Sequence, residues 1–298
     1  MTTPSADRAP LLVAPRLATQ LLDCYTYTDP RNPRRIIRGY DRPHALRTAR
    51  LCAAVALRLG YTPARAAQYQ TACLLHDLGR AGLDRALFGA IWTWARRQGI
   101  PTRPGEWRAA FPRTTAGRET EAFVARYGAA LEAAGITMDA WAVEQVEMRL
   151  GYARRLARQA RRVRPRLAAL HVQWEPWMQR IMLYYYYPEA LVGVVPWVRQ
   201  LAEILVACEQ FEAYSNQQRG RDYYARSRES LTEAFAYLES LRRNGILSGP
   251  VLDAVRELFH EGAFDRVIAE ARGRAVTTGE RRAVERAGAD KVLLQGVR

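Results

Sequence analysis

Histidine is scarce in this chain, with four in 298 residues. Any site that needs several imidazoles must draw on His44, His76, His171 and His260 alone. Cysteine is as rare. Cys24, Cys52, Cys73 and Cys208 are widely separated and form no Cys-x-x-Cys pair, so neither a thiolate zinc site nor a disulfide framework has its usual spacing. Reduced, buried thiols are the expectation. There is no run of about 18 apolar residues, the length that spans a bilayer. The stretch from Met1 to Pro10 also lacks the basic-then-apolar layout of a signal peptide. Together these absences point to a cytoplasmic protein with no membrane partner. Strand-like alternation of useful length is missing too, and no internal repeat stands out.

What is present is length enough for one large domain or two small ones, with a 49% hydrophobic composition that can bury a core. The formal charge of +15 comes mostly from arginine. Such a charge steers a protein toward nucleic acids, nucleotides or acidic partners, although genomic base bias produces the same composition. Residues 1–10 read as a disordered leader, followed by a helix from Leu11 to Tyr27 and a basic connector from Arg31 to Arg38. Asp41-Arg-Pro-His44 starts the next helix, because Asp41 can accept early backbone N–H bonds and Pro43 is tolerated in a first turn. Leu46, Ala49, Leu51, Ala53, Ala54, Leu57 and Leu59 give that helix a broad apolar side, and Gly60 stops it. A second apolar helix runs from Pro63 to Leu78, ended by Gly79 and Gly82. Residues 100–115, rich in Pro, Arg, Thr and Gly, predict a surface excursion. Further helices are expected over 117–134, Met138–Arg164, Glu175–Tyr186, Pro196–Ser215 and Ser227–Asn244, with short ones near 250–259, 263–272 and 279–287. The fold class is all-α.

The chemistry concentrates at His76-Asp77, which places two metal-capable side chains together on the last turn of a buried helix. His44 sits near the start of the preceding helix. Two helices joined by the short Gly60-Tyr-Thr-Pro63 turn run antiparallel, so the start of the first comes close to the end of the second. Neutral nitrogen and carboxylate oxygen suit manganese, iron, zinc or cobalt. A later helix supplies an acid: Glu209 follows an apolar run, and Glu212, three residues on, supports it from the same side.

His44, His76-Asp77 and a late helical acid resemble the His…His-Asp…Asp pattern of the HD superfamily of metal-dependent phosphohydrolases. The likeness is strongest to the HD-GYP subgroup, the cyclic di-guanylate phosphodiesterases of bacterial signalling. His44-Ala-Leu-Arg47 is similar to its first-helix His-x-x-Arg, and the stretch Ala72–Arg80 to its Leu-His-Asp-Ile-Gly-Lys. Ile204–Ala213 resembles its Ile-Leu-Ala-Val-Ala-Asp-x-Phe-Asp-Ala segment, and Arg221-Asp-Tyr-Tyr224 its Arg-Pro-Tyr-Arg. The resemblance covers residues 40–258. It implies an HD-domain-like helical bundle over 40–245, with an N-terminal leader and helix at 1–39 and a short-helix extension at 246–298. It further implies divalent-metal ligands at His76, Asp77 and Glu209, the last standing where the family has Asp, and a metal ligand or phosphate contact at His44. Asp77 would also orient water. Arg80, in the place of the subgroup's Lys, would contact a phosphate, and Arg47 and Arg221 would be further phosphate or structural contacts.

The chain also departs from that pattern. Val146–Gly151 holds no histidine where the subgroup has one, and Leu183-Tyr-Tyr-Tyr-Tyr-Pro188 stands where it has His-His-Glu and the Gly-Tyr-Pro loop. Tyrosine is a poor ligand near neutrality, since its phenol loses a proton only near pH ~10. The site reduces to a mononuclear centre of two histidines and two carboxylates, or to an empty relic without metal.

Two functions therefore stay open. One is phosphodiester or nucleotide hydrolysis by metal-bound water, with arginines offsetting the developing charge. The other is a catalytically inactive signalling module that binds a nucleotide or a protein partner. A direct nucleic-acid role is a third. Tyr184 and Tyr185, in the run Tyr184–Tyr187, either stack on a purine as substrate-binding residues or fill core space. The arginines from Arg149 to Arg166 form a collar that is either a solvated helix end or an anion-binding surface.

Overall fold

Proline or a capping side chain marks most helix starts in the computed structural model, which describes residues 9–39, 42–216 and 230–295. In chain order the helices are α1 (Pro15–Leu22), α2 (Arg42–Arg58), α3 (Pro63–Leu74), α4 (Arg85–Arg97), α5 (Pro104–Ala110), α6 (Glu119–Ala133) and α7 (Ala140–Leu150). They continue as α8 (Tyr152–Ala169), α9 (Pro176–Leu183), α10 (Pro196–Ser215), α11 (Leu231–Arg243), α12 (Gly249–His260), α13 (Asp265–Arg272) and α14 (Thr278–Gln295). Pro15, Pro63, Pro104, Pro176 and Pro196 each open a helix, where a missing N–H removes no intrahelical bond. Thr62, Asp84, Asp139 and Ser230 cap α3, α4, α7 and α11, each accepting the backbone N–H three residues on. Asp41, expected to cap α2, lies outside the described residues.

The all-α expectation agrees with this architecture, while several local expectations need correction. The first helix is shorter than Leu11–Tyr27: α1 gives way to a 3-10 turn at Asp23–Tyr25 and then to β1 (Tyr27–Thr28), which pairs antiparallel with β2 (Ile36–Ile37). α4 lies where the sequence analysis places no helix, and its Phe88, Ile91, Trp92 and Ala95 fall at helical spacing and are all buried. The expected surface excursion at 100–115 contains α5, whose Trp107 is 1% exposed. The single helix expected from Met138 to Arg164 is two helices that meet at Gly151. A Cβ there would come within 2.6 Å of Glu147 Cγ and 2.8 Å of Thr120 Oγ1, so the close approach of α6 requires glycine. α3 ends at Leu74 instead of Leu78, which moves His76-Asp77 off the helix and into the turn behind it.

Two hydrophobic cores result among the described residues. The larger joins α1–α3 to α8–α14, with Cys52, Val55, Tyr69, Cys73, Leu205 and Phe259 among its buried members. α2 packs along α3, and α10 lies across α2, α9, α11 and α12. The smaller is aromatic and belongs to α4–α7: Trp92 and Trp107 both pack on Phe123, with ring centroids 5.4 and 5.8 Å apart. The four cysteines are buried and form no disulfide; burial pushes the Cys73 and Cys208 thiols well above their ordinary range. Among the described residues no helix is long and apolar enough to cross a membrane.

Candidate metal centre

The α2–α3 hairpin brings the start of one helix to the end of the other. The rings of His44 and His76 meet edge to face, with centroids 5.2 Å apart. With Asp77 they offer three ligand atoms that all lie within 4.8 Å of one another, and each residue is buried.

The turn that carries His76-Asp77 is held by groups remote in sequence. The Tyr152 hydroxyl donates to the His76 carbonyl at 2.7 Å. Tyr25 Oη accepts the Asp77 N–H at 3.1 Å and donates to the Leu74 carbonyl at 3.1 Å. Arg155, wholly buried, donates Nε to the Gly79 carbonyl at 2.8 Å and Nη2 to the Ala81 carbonyl at 2.7 Å. Helix-end carbonyls buried without partners are costly, and these donors satisfy them. Gly79 is needed because a Cβ there would lie 2.5 Å from Tyr152 Cε2. Burial, reinforced by the Asp77 charge, pushes the Tyr152 phenol well above its ordinary range and keeps it a donor.

Both imidazoles have Nδ1 committed. In His76, Nδ1 donates to the Cys73 carbonyl at 2.7 Å. In His44, Nδ1 donates to the Glu212 carboxylate. Carbonyl and carboxylate oxygens only accept, so in the neutral ring the lone pair sits on Nε2. Nε2 of His76 is buried, makes no hydrogen bond among the described residues and lies 3.9 Å from Asp77 Oδ2. Two atoms bonded at about 2.1 Å to one ion lie about 3 to 4.2 Å apart, depending on the angle. The spacing and the donor chemistry both fit a divalent ion such as manganese, iron or zinc. Arg80 competes for that carboxylate: its Nη1 is 2.8 Å from Asp77 Oδ2, while its Nη2 bonds the Tyr186 hydroxyl.

The other expected site residues are dispersed around this cluster. Glu209 is not a member of it; one turn before Glu212 on α10, it lines an adjoining cavity of about 310 Å³ together with Arg80, Tyr185 and Tyr186. Glu212, expected only in support, is the acid that reaches His44. It also receives Arg47 Nε at 2.7 Å and Asn216 Nδ2 at 3.0 Å, so Arg47 buttresses this carboxylate. Tyr184 donates to the Ile246 carbonyl at 2.9 Å and does not line the cavity. Arg221 lies outside the described residues. In the arginine collar, Arg154 and Arg158 hold Glu147 at 2.8 and 2.5 Å, and Arg155 is internal. Tyr25 and Tyr152 carry no sequence signal for this role, and Arg155 is marked only as a member of the collar, because their partners are 49 to 76 residues away and no local spacing marks them.

No protein-family model, curated protein or solved structure matches this chain. Fold and geometry define its class: an all-α bundle with a His44/His76/Asp77 cluster consistent with a metal-binding site of the general HD-like kind.

Proposed function

We propose that this protein is a metal-dependent phosphohydrolase that holds a single divalent ion with His44, His76 and Asp77 and acts on a phosphoester or nucleotide. The observation that carries the reading is the His76 ring, whose Nδ1 bonds the Cys73 carbonyl and whose Nε2 lies 3.9 Å from Asp77 Oδ2, with a ligand atom of His44 in the same cluster. Proteins present histidine to metals through such outer hydrogen bonds, which set the tautomer and ring orientation. When bound, a divalent ion supplies a Lewis acid that polarises a phosphate oxygen and lowers the pKa of water. The chain's own groups do the rest. Glu212 and the Cys73 carbonyl hold the imidazoles, Tyr25 and Tyr152 hold the turn, and Arg80 offers a guanidinium to the phosphate. Glu209 adds a carboxylate from the cavity wall.

One contact favours a second reading, a module that binds a nucleotide or protein partner without turnover. Arg80 already balances Asp77 at 2.8 Å, and a neutralised carboxylate has less need of a cation. Metal uptake separates the two. Chain stripped with EDTA is titrated calorimetrically with Mn²⁺, Fe²⁺ and Zn²⁺, then assayed on bis(p-nitrophenyl) phosphate and on nucleotides. The phosphohydrolase reading expects ion uptake and hydrolysis, both lost in His76→Ala with the helical circular dichroism retained. Failure of the wild-type chain to take up any of the ions, or full hydrolysis by His76→Ala, would overturn it.

A further inference from the structure

The cavity beside the metal cluster is walled by four guanidiniums, Arg80, Arg96, Arg103 and Arg149, against two carboxylates, Glu106 and Glu209. Arg80 and Arg149 are only 4% and 8% exposed. Like charges gathered around one cavity repel one another where the water that would screen them is displaced. Asp77 balances Arg80 from behind, and the wall still carries more positive than negative charge.

Arg103 makes one loose ion pair, Nη1 to Glu106 Oε1 at 3.8 Å, and its hydrogen bonds go to neutral groups. Arg103 donates to the hydroxyls of Tyr185 and Tyr237, the latter at 3.0 Å, and the two hydroxyls bond each other at 2.7 Å. Its guanidinium also lies over the Tyr185 ring, 4.7 Å from the centroid. Arg149 lies over Trp92 at 5.2 Å. Aromatic faces and neutral hydroxyls orient a guanidinium without cancelling its charge, and an ion pair as long and as exposed as Arg103–Glu106 offsets little of it.

We infer that this cavity binds the phosphate of a small phosphate monoester, of sugar-phosphate or mononucleotide size, with Arg103 as the anchoring cation. The substrate role rests on the metal-centre reading above; the binding itself does not. Charge favours a monoester, which carries about −1.5 to −2 near neutrality and three acceptor oxygens for planar guanidinium forks. Size sets the upper limit. About 310 Å³ is near the low end of ligand pockets, which run from about 300 to 1,000 Å³, and equals the liquid volume of about ten waters. A phosphate with its sugar fills that space, and a cyclic dinucleotide with two bases exceeds it.

The test is calorimetry on the full chain, freed of metal with EDTA, with inorganic phosphate, ribose 5-phosphate, guanosine 5′-monophosphate and cyclic di-guanylate as separate probes. Metal uptake is measured on the same preparations. We expect the two monoesters to bind at least about tenfold tighter than inorganic phosphate or cyclic di-guanylate. Arg103→Gln should weaken them about tenfold or more while retaining metal uptake, and Arg96→Gln gives an independent, half-buried lesion with the same direction. Equal binding by wild type and both variants overturns the inference, as does preference for cyclic di-guanylate or for inorganic phosphate. Metal uptake without binding of any monoester overturns it and leaves the metal centre standing. Monoester binding without metal uptake supports it and removes the metal centre.

Discussion

The metal cluster and the arginine cavity share Arg80 but are assembled in opposite ways. The cluster lies inside the larger core, and each of its ligands is tied to that core by groups of the same unit: Cys73, Glu212, Tyr25 and Tyr152. The cavity lies on the seam between the two cores. Arg96, Arg103 and Arg149 come from the α4–α7 unit, while Tyr185, Glu209 and Tyr237 come from the larger one. The difference is one of preorganisation. A site inside one core inherits its rigidity, whereas a site on a seam depends on how two cores sit together.

The largest expected effect breaks the seam and spares the cluster. Trp107→Ala removes a ring packed on Phe111 and Phe123, and loss of a buried aromatic costs about 3–5 kcal/mol. Urea unfolding should show the loss, with monoester binding abolished and metal uptake retained. An equal fall in metal uptake would mean that the two regions are not separable. Glu212→Gln does the reverse. It removes the carboxylate from His44 Nδ1, and loss of such an outer partner lowers metal affinity about 10–100-fold; calorimetry should find monoester affinity unchanged.

Gly79→Ala is expected to act on the hinge of the cluster. Its new Cβ meets the Tyr152 ring at 2.5 Å, and overpacking costs about 1–3 kcal/mol. Combined with Tyr152→Leu, the thermal destabilisation should be less than the sum of the single variants, and strict additivity would rule out the clash as its cause. The smallest effect concerns Glu147, which joins α7 to α8. Burial works to raise its pKa, but Arg158 and Arg154 hold it below the ordinary 4.5. A depressed carboxyl stabilises the fold fully above its unfolded value and loses that contribution as pH falls through the folded value. Melting temperatures of wild type and Glu147→Gln should therefore differ at neutrality and converge as pH falls below 4.5. A gap that persists in acid would contradict the ion-pair origin.

Legibility in the sequence followed the range of the interactions. The α2–α3 hairpin and α10 could be read because apolar residues recur at helical spacing and Gly60 and Pro63 punctuate the turn. α4 carries the same signal in Phe88, Ile91, Trp92 and Ala95, which fall at helical spacing. The meeting of His44 with His76-Asp77 followed from hairpin geometry alone. The choice between Glu209 and Glu212 did not. The two acids are three residues apart on one helix, so spacing places both near the same side, and only the packing of α10 on α2 sets Glu212 against His44.

The sequence by itself determined the all-α class and the two segments that bring histidine, histidine and aspartate together, because helix periodicity and a short turn are local instructions. Tertiary structure alone decided that His76-Asp77 leaves its helix, that Tyr25, Tyr152 and Arg155 hold the resulting turn, and that four arginines from separate elements face one cavity. Those outcomes depend on hydrogen bonds and charges between residues far apart in the chain, whose pairing exists only once both cores have packed.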